Sequence, residues 1–140
     1  MNISTSIIVT DAGFAPEDWI HGFGTEECAT QASGMEALDL TSDTDPATVP
    51  LTPALRMIRV DFPVCTDGRG FTIARALRLR GYSGRLRARG AVLADQYAMA
   101  RRSGFDEVEI SAALAARQPQ AQWQFRSDWQ AHDHQARLRG

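Results

Sequence analysis

Residues 57–74 read Met57-Ile58-Arg59-Val60-Asp61-Phe62-Pro63-Val64-Cys65-Thr66-Asp67-Gly68-Arg69-Gly70-Phe71-Thr72-Ile73-Ala74. The first six are rich in β-branched and aromatic residues and stop at a proline, which reads as a strand ending at Phe62. From Gly70 the spacing changes. Gly70, Ile73, Ala74 and Leu77 recur at helical intervals, with Arg75 and Arg78 opposite. Gly81 ends that helix, and Arg78 and Arg80 in its last turn suit the negative end of the helix dipole. A strand running through a glycine-bearing loop into a helix is the first half of a βαβ crossover.

Downstream the pattern repeats. Arg85 to Ala88 is a short strand. Val92 to Ser103 reads as a second helix, with Val92, Gln96, Met99, Ala100 and Ser103 on one face and Gly104 as the stop. Glu107 to Ile110 is a strand. Ser111 can N-cap the helix Ala112 to Gln118, which Pro119 stops. Gln122 to Phe125 reads as a last strand. Upstream, Ile7-Ile8-Val9 is a strand closed by the turn Asp11-Ala12-Gly13. Ala15 to Asp18 is a loop or helical turn anchored by Trp19 and Phe23, and residues 22–34 form a loop. Ala37 to Leu40 is a strand, and the loop from Thr41 to Pro53 carries one helical turn after Pro46.

Alternating strands and helices predict an α/β fold with a small, mostly parallel sheet built from βαβ units. It would be an open three-layer sheet or a half-barrel. Residues 1–126 make a single domain: an acidic, loop-rich leader over 1–55 and the βαβ core over 56–126. Residues 127–140 are expected to be a polar, frayed tail.

Charge is segregated along the 140 residues. Residues 1–55 carry −9, residues 56–102 carry +8 and residues 103–140 carry −1. Two readings follow. The leader and the middle segment pack together and neutralise one another, or the middle segment is a basic surface for an anionic ligand or an acidic partner. A pI near 5.9 and the lack of an aromatic RNA-binding motif or zinc-finger pattern speak against nucleic acid. All 15 basic residues are arginine. With no lysine there is no Schiff-base chemistry and no phosphate-binding-loop lysine. The arginine fork suits carboxylates and oxyanions. A general arginine preference would give the same count.

No apolar run approaches the length of a membrane span. No basic cluster precedes the first apolar residues, so the expected compartment is the cytoplasm. Cys28 and Cys65 fit no C-x-x-C motif and are expected as free thiols. His132-Asp133-His134 lacks a third ligand, so no metal site is assigned. No cofactor fingerprint is evident. A dinucleotide G-x-G-x-x-G starting at Gly68 would need glycine at 73, where Ile73 stands.

In parallel sheets, ligands bind at the C-terminal ends of strands. That selects Asp61 to Gly70, Arg89 to Gln96, and Ile110-Ser111. The ligand-binding candidates are Thr66, Asp67, Gly68, Arg69, Gly70, Arg89 and Gln96. The helix start offers unpaired N–H groups, the glycines allow close approach, and the arginines supply donor forks. Asp67 and Asp95 are the candidates for acid–base work. The plainer alternative is that Thr66 or Asp67 caps the helix and the glycines make the turn. Gln96 is either a ligand contact or an amide satisfied by the neighbouring Asp67 loop. Asp95 could pair with Arg69 or Arg89.

The run from Asp61 through Thr66-Asp67-Gly68-Arg69-Gly70-Phe71-Thr72, with Gly81-Tyr82, Gly90, Val92-Leu93, Asp95-Gln96 and Gly104-Phe105-Asp106, resembles a bacterial family known as domain of unknown function 934. The likeness is good over about residues 57–110. Members of that family are typically encoded beside assimilatory sulfite reductase genes and are often labelled oxidoreductases. Asp67, Arg69, Asp95 and Gln96 match its pattern. The family usually has an aromatic where this chain has Cys65, so the resemblance lends Cys65 no role. The resemblance implies an accessory protein of sulfate or sulfite reduction that binds an oxyanion or a redox partner, the expected partner being sulfite reductase or another sulfur-assimilation protein. A small oxidoreductase or other enzyme of sulfur assimilation, using Asp67 or Asp95 with Arg69, is the rival. Homo-oligomerisation is left open.

Overall fold

A computed structural model describes residues 6–19, 23–25 and 36–124. The strands are β1 (Ser6–Thr10), β2 (Gly13–Pro16), β3 (Gly24–Thr25), β4 (Ala37–Leu40), β5 (Met57–Phe62), β6 (Arg85–Gly90) and β7 (Glu107–Ser111). The helices are α1 (Arg69–Leu79), α2 (Tyr97–Ser103), α3 (Ala112–Arg117) and α4 (Gln120–Gln124). Single 3₁₀ turns cover Pro46–Thr48 and Ala94–Gln96.

The α/β class expected from the sequence holds, but the sheet is mixed rather than mostly parallel. Its order is β2-β1-β7-β6-β5-β4-β3. From β7 to β3 neighbouring strands are parallel. The β1–β2 hairpin adds an antiparallel edge beside β7. A hairpin needs only a two-residue turn, here Asp11-Ala12, so it joins a sheet without the helix that a parallel neighbour demands. Gly13, with φ of 118°, completes that turn.

The central strands largely alternate, although Ile8, Ala37 and Met57 are buried on the face opposite the main cluster. Val9, Leu38, Ile58, Val60, Phe62, Leu86, Ala88, Val108 and Ile110 share one hydrophobic cluster. All four helices contribute to it, through residues such as Ile73, Leu77, Tyr97, Leu114 and Trp123. The described helices therefore lie on one face. The expected three-layer sheet is replaced, among the described residues, by two layers. The opposite face carries Asp39 of β4, Arg59 of β5, Arg85, Arg87 and Arg89 of β6, and Glu107 and Glu109 of β7.

Helix α1 follows the sequence reading, burying Gly70, Phe71, Ile73, Ala74 and Leu77. Helix α2 differs. The stretch expected to be helical from Val92 opens with the 3₁₀ turn, and the α-helix starts at Tyr97. Three residues per turn shift the phase, so Tyr97 is buried and Met99 is exposed. Gln122 to Gln124, expected as strand, lies in α4, whose Trp123 packs edge-on to Tyr97. Ser111 caps α3 as expected, accepting from the Leu114 N–H. Ala15-Pro16 is strand rather than loop. Cys28, the His132-Asp133-His134 tail and residues 127–140 lie outside the described residues.

Candidate functional site

The C-terminal ends of β4, β5 and β6 open into three loops, and two side chains tie these together. The first is Arg69, at the start of α1. Its Nε donates to Asp67 Oδ1 at 2.9 Å and its Nη2 to Asp67 Oδ2 at 2.8 Å. The same Nη2 donates to Ser42 Oγ at 3.0 Å, which brings in the loop after β4. Asp67 also accepts from the Arg69 backbone N–H at 3.1 Å. Arg69's guanidinium and backbone N–H hold the Asp67 carboxyl far below the usual carboxylate range. The pair is a preformed fork whose arginine remains 60 % exposed.

The second tie is Gln96. Its Nε2 donates to the Cys65 carbonyl at 2.7 Å, and its Oε1 accepts from the Leu93 N–H at 2.9 Å. The amide is thus satisfied by the loop that carries Asp67, one of the two alternatives the sequence left open. It locks the β6–α2 turn to the β5–α1 loop.

The other candidates separate. Gly68 stands at the helix N-cap with open space beside it. At Gly70 a Cβ would overlap the Phe62 ring, so its glycine serves the packing of α1 on β5. Thr66 and Asp95 are exposed in their turns. Arg89 points to the sheet face away from α1. Its guanidinium lies 3.9 Å from Asp61 and 3.6 Å from Glu109, and its side chain is 48 % exposed. Arg69 and Arg89 thus have different carboxylate partners. Beside Ser42, Thr41 donates to Asp43, which lowers that carboxyl's pKa.

Sequence reasoning missed two things. One is Ser42, read only as loop. The other is the charged ladder on the second sheet face. There Arg59 grips Asp39 with Nε at 2.6 Å and Nη2 at 2.7 Å, and donates from Nη1 to Glu109 at 3.0 Å. Arg87, fully buried, donates to Glu107 at 2.6 Å and Glu109 at 2.9 Å. Arg85 donates to both oxygens of Glu107. The leader joins in: Glu17 accepts from Arg87 at 2.6 Å and Asp18 from Arg85 at 3.0 Å. Neutralisation of the basic segment by the acidic leader, one of the two charge readings, is therefore seen directly at these residues. The alternation of charged and apolar residues in β5, β6 and β7 was the available signal.

A recess of about 280 Å³ lies at the other end of the sheet, before β5 and β6, lined by Leu51, Pro53, Leu55, Arg80 and Tyr82 among others. Arg80 there donates to the Pro46 and Val49 carbonyls. Among the described residues no three His, Cys, Asp or Glu side chains are grouped to hold a metal ion. Among them, too, no helix is long and apolar enough to cross a membrane.

The family model described as "Bacterial protein of unknown function (DUF934)" matches residues 31–138. The chain belongs to this family. No curated protein and no solved structure matches it. The matched region holds β4 to β7, all four helices, the Asp67–Arg69 fork and the strand part of the charged ladder. The β1–β2 hairpin and the Glu17-Asp18 segment precede it.

Proposed function

We propose that this protein is a cytoplasmic accessory factor of assimilatory sulfite reduction that presents the ends of β4, β5 and β6 to a redox partner or an oxyanion. The pathway comes from the gene neighbourhood that the family resemblance implies. The binding mode rests on one observation: the Asp67–Arg69 fork, tied to Ser42 and steadied through Gln96, is preorganised and still open to solvent. Preorganised donors lose little on binding, which suits recognition. A carboxylate held ionised by an arginine is poorly placed to donate a proton, which disfavours the rival reading in which Asp67 does acid–base work. Asp67 also occupies the position a free oxyanion would take against Arg69, which supports a protein partner over a free oxyanion; the family resemblance makes sulfite reductase the first one to test.

Deletion of the protein is expected to impair growth on sulfate or sulfite as sole sulfur source, with cysteine restoring it. Normal growth on every sulfur source removes the pathway assignment. Pull-down with the host's sulfite reductase, wild type against Arg69→Ala, tests the partner. Calorimetric titration with sulfite, sulfate and phosphate tests the oxyanion form. There Arg69→Ala should cost about tenfold or more in affinity if an anion binds.

A further inference from the structure

We infer that the segment Glu17-Asp18-Trp19 with Phe23 is a displaceable cover, a ligand bound in cis, and that the arginine face beneath it takes an acidic, aromatic-bearing segment of a partner protein in its place. This surface is distinct from the strand-end fork, and the inference does not depend on the pathway proposed above.

The topology sets the cover in place. Strand β2 is one edge of the described sheet and β3 the other, and between them Glu17, Asp18, Trp19 and Phe23 lie against the face opposite the described helices. The described ties of the crossing segment to the sheet are made by side chains. Glu17 accepts from Arg87, and Asp18 accepts from Arg85 at 3.0 Å and lies 3.6 Å from Arg87 Nη2. Arg56 and Arg85 sit 5.7 and 6.0 Å from the centre of the Trp19 ring, and Arg59 lies 3.7 Å from that of Phe23. Glu17 and Asp18 keep 32 % and 65 % of their side-chain surface exposed. The Asp18–Arg85 pair is of the weak, solvent-open kind, whereas Glu17 holds the fully buried Arg87, so whatever displaces it must bring a carboxylate of its own. Such a cover is held by charge and ring contacts that another segment of the same chemistry can reproduce.

The fit is also incomplete. Arg87 is fully buried, yet among the described residues its Nη2 has no hydrogen-bond acceptor. A buried guanidinium N–H without an acceptor is costly. A partner carboxylate seated closer than Asp18 would satisfy it. Finally, the two parts have different standing in the family match. Asp39, Arg59, Arg85, Arg87, Glu107 and Glu109 lie inside the matched region, whereas the cover lies before residue 31. The face thus lies within the family match and its cover outside it.

The test uses a fluorescein-labelled peptide of the cover's own sequence, residues 16–25, added in trans to the full-length protein. Fluorescence anisotropy should give at least about tenfold tighter binding to Glu17→Ala/Asp18→Ala than to wild type, weakening as salt rises. A peptide with Glu17 and Asp18 replaced by Gln and Asn should not bind. Equal affinity for both proteins overturns the inference, as does binding of the neutral peptide. Hydrogen exchange on the wild type is the second measurement. The Trp19 and Phe23 amides should open well before those of β5 and β6. Joint opening with the sheet, or a double variant that fails to fold, makes the segment an integral part of the fold and overturns the inference.

Discussion

Glu109 is the centre of the charged ladder, and its replacement by glutamine tests whether that ladder stabilises the fold. The side chain is 6 % exposed. It accepts from Arg59 Nη1 at 3.0 Å, Arg87 Nη1 at 2.9 Å and Ser6 Oγ at 3.0 Å. Glutamine keeps the volume and one acceptor oxygen for the arginines, but removes the charge that balances Arg59 and Arg87 and puts an N–H donor beside Ser6 Oγ. Breaking a buried ion pair from one side costs about 3–5 kcal/mol. Arg59 keeps Asp39, and Arg87 keeps Glu107 and Glu17, so the lower end applies, about 3 kcal/mol. At this chain length that lowers the Tm by roughly 10 °C. Urea unfolding followed by circular dichroism at about pH 7 measures the loss. The pH dependence supplies an independent sign. Burial pushes the Glu109 carboxyl up, but the charges and hydrogen bonds of Arg59 and Arg87, with Ser6, outweigh it and bring the pKa below the ordinary value. A depressed folded pKa stabilises above the unfolded pKa and is lost as pH falls through the folded one. The gap between wild type and Glu109→Gln should therefore be full near neutrality and narrow below about pH 4. A loss under about 1 kcal/mol at neutral pH, or a gap that widens on acidification, refutes the reasoning.

Two further substitutions probe the strand-end loops. Gly70→Ala should destabilise by about 1–3 kcal/mol, because the new methyl overlaps the Phe62 ring, whereas Gly68→Ala next to open space should change little in the same urea titration. Gln96→Ala removes the bonds to the Leu93 N–H and the Cys65 carbonyl, so it should cost about 1–3 kcal/mol and raise hydrogen exchange in residues 63–68. Unchanged exchange there would mean that Gln96 does not steady the loop.

Much of the core was legible because local signals agreed with the fold. The Met57–Phe62 strand, α1 with its buried stripe, and the Ser111 cap all follow from spacing and capping chemistry. The mixed sheet was harder to read. Nothing in Ile7-Ile8-Val9 says which strand it will join, and β1 pairs with β7 about a hundred residues away. Non-local pairing leaves no local trace beyond the strand itself. The layer count, by contrast, was written in the chain. Parallel strands covered by helices on both faces are apolar throughout. Ile58-Arg59-Val60-Asp61-Phe62, Arg85-Leu86-Arg87-Ala88-Arg89 and Glu107-Val108-Glu109-Ile110 alternate instead. That alternation calls for one apolar and one polar face, hence two layers.

The same alternation decides which arginines can serve a partner at the strand ends. Arg59 and Arg87 are spent inside the ladder, each held by at least two carboxylates and almost wholly covered. They would have to be uncovered before they could bind anything. Arg69 and Arg89, the two singled out by their place at strand ends, keep about half or more of their surface open. Arg69 is fixed by a carboxylate on its own loop, whereas among the described residues Arg89 reaches Asp61 and Glu109 only at 3.6 Å or beyond. One is a fork already set, and the other still has donors to give at hydrogen-bonding distance. A partner carboxylate approaching the end of β6 would therefore gain most from Arg89. Arg89→Ala should then weaken partner capture while leaving stability nearly untouched, unlike any change inside the ladder.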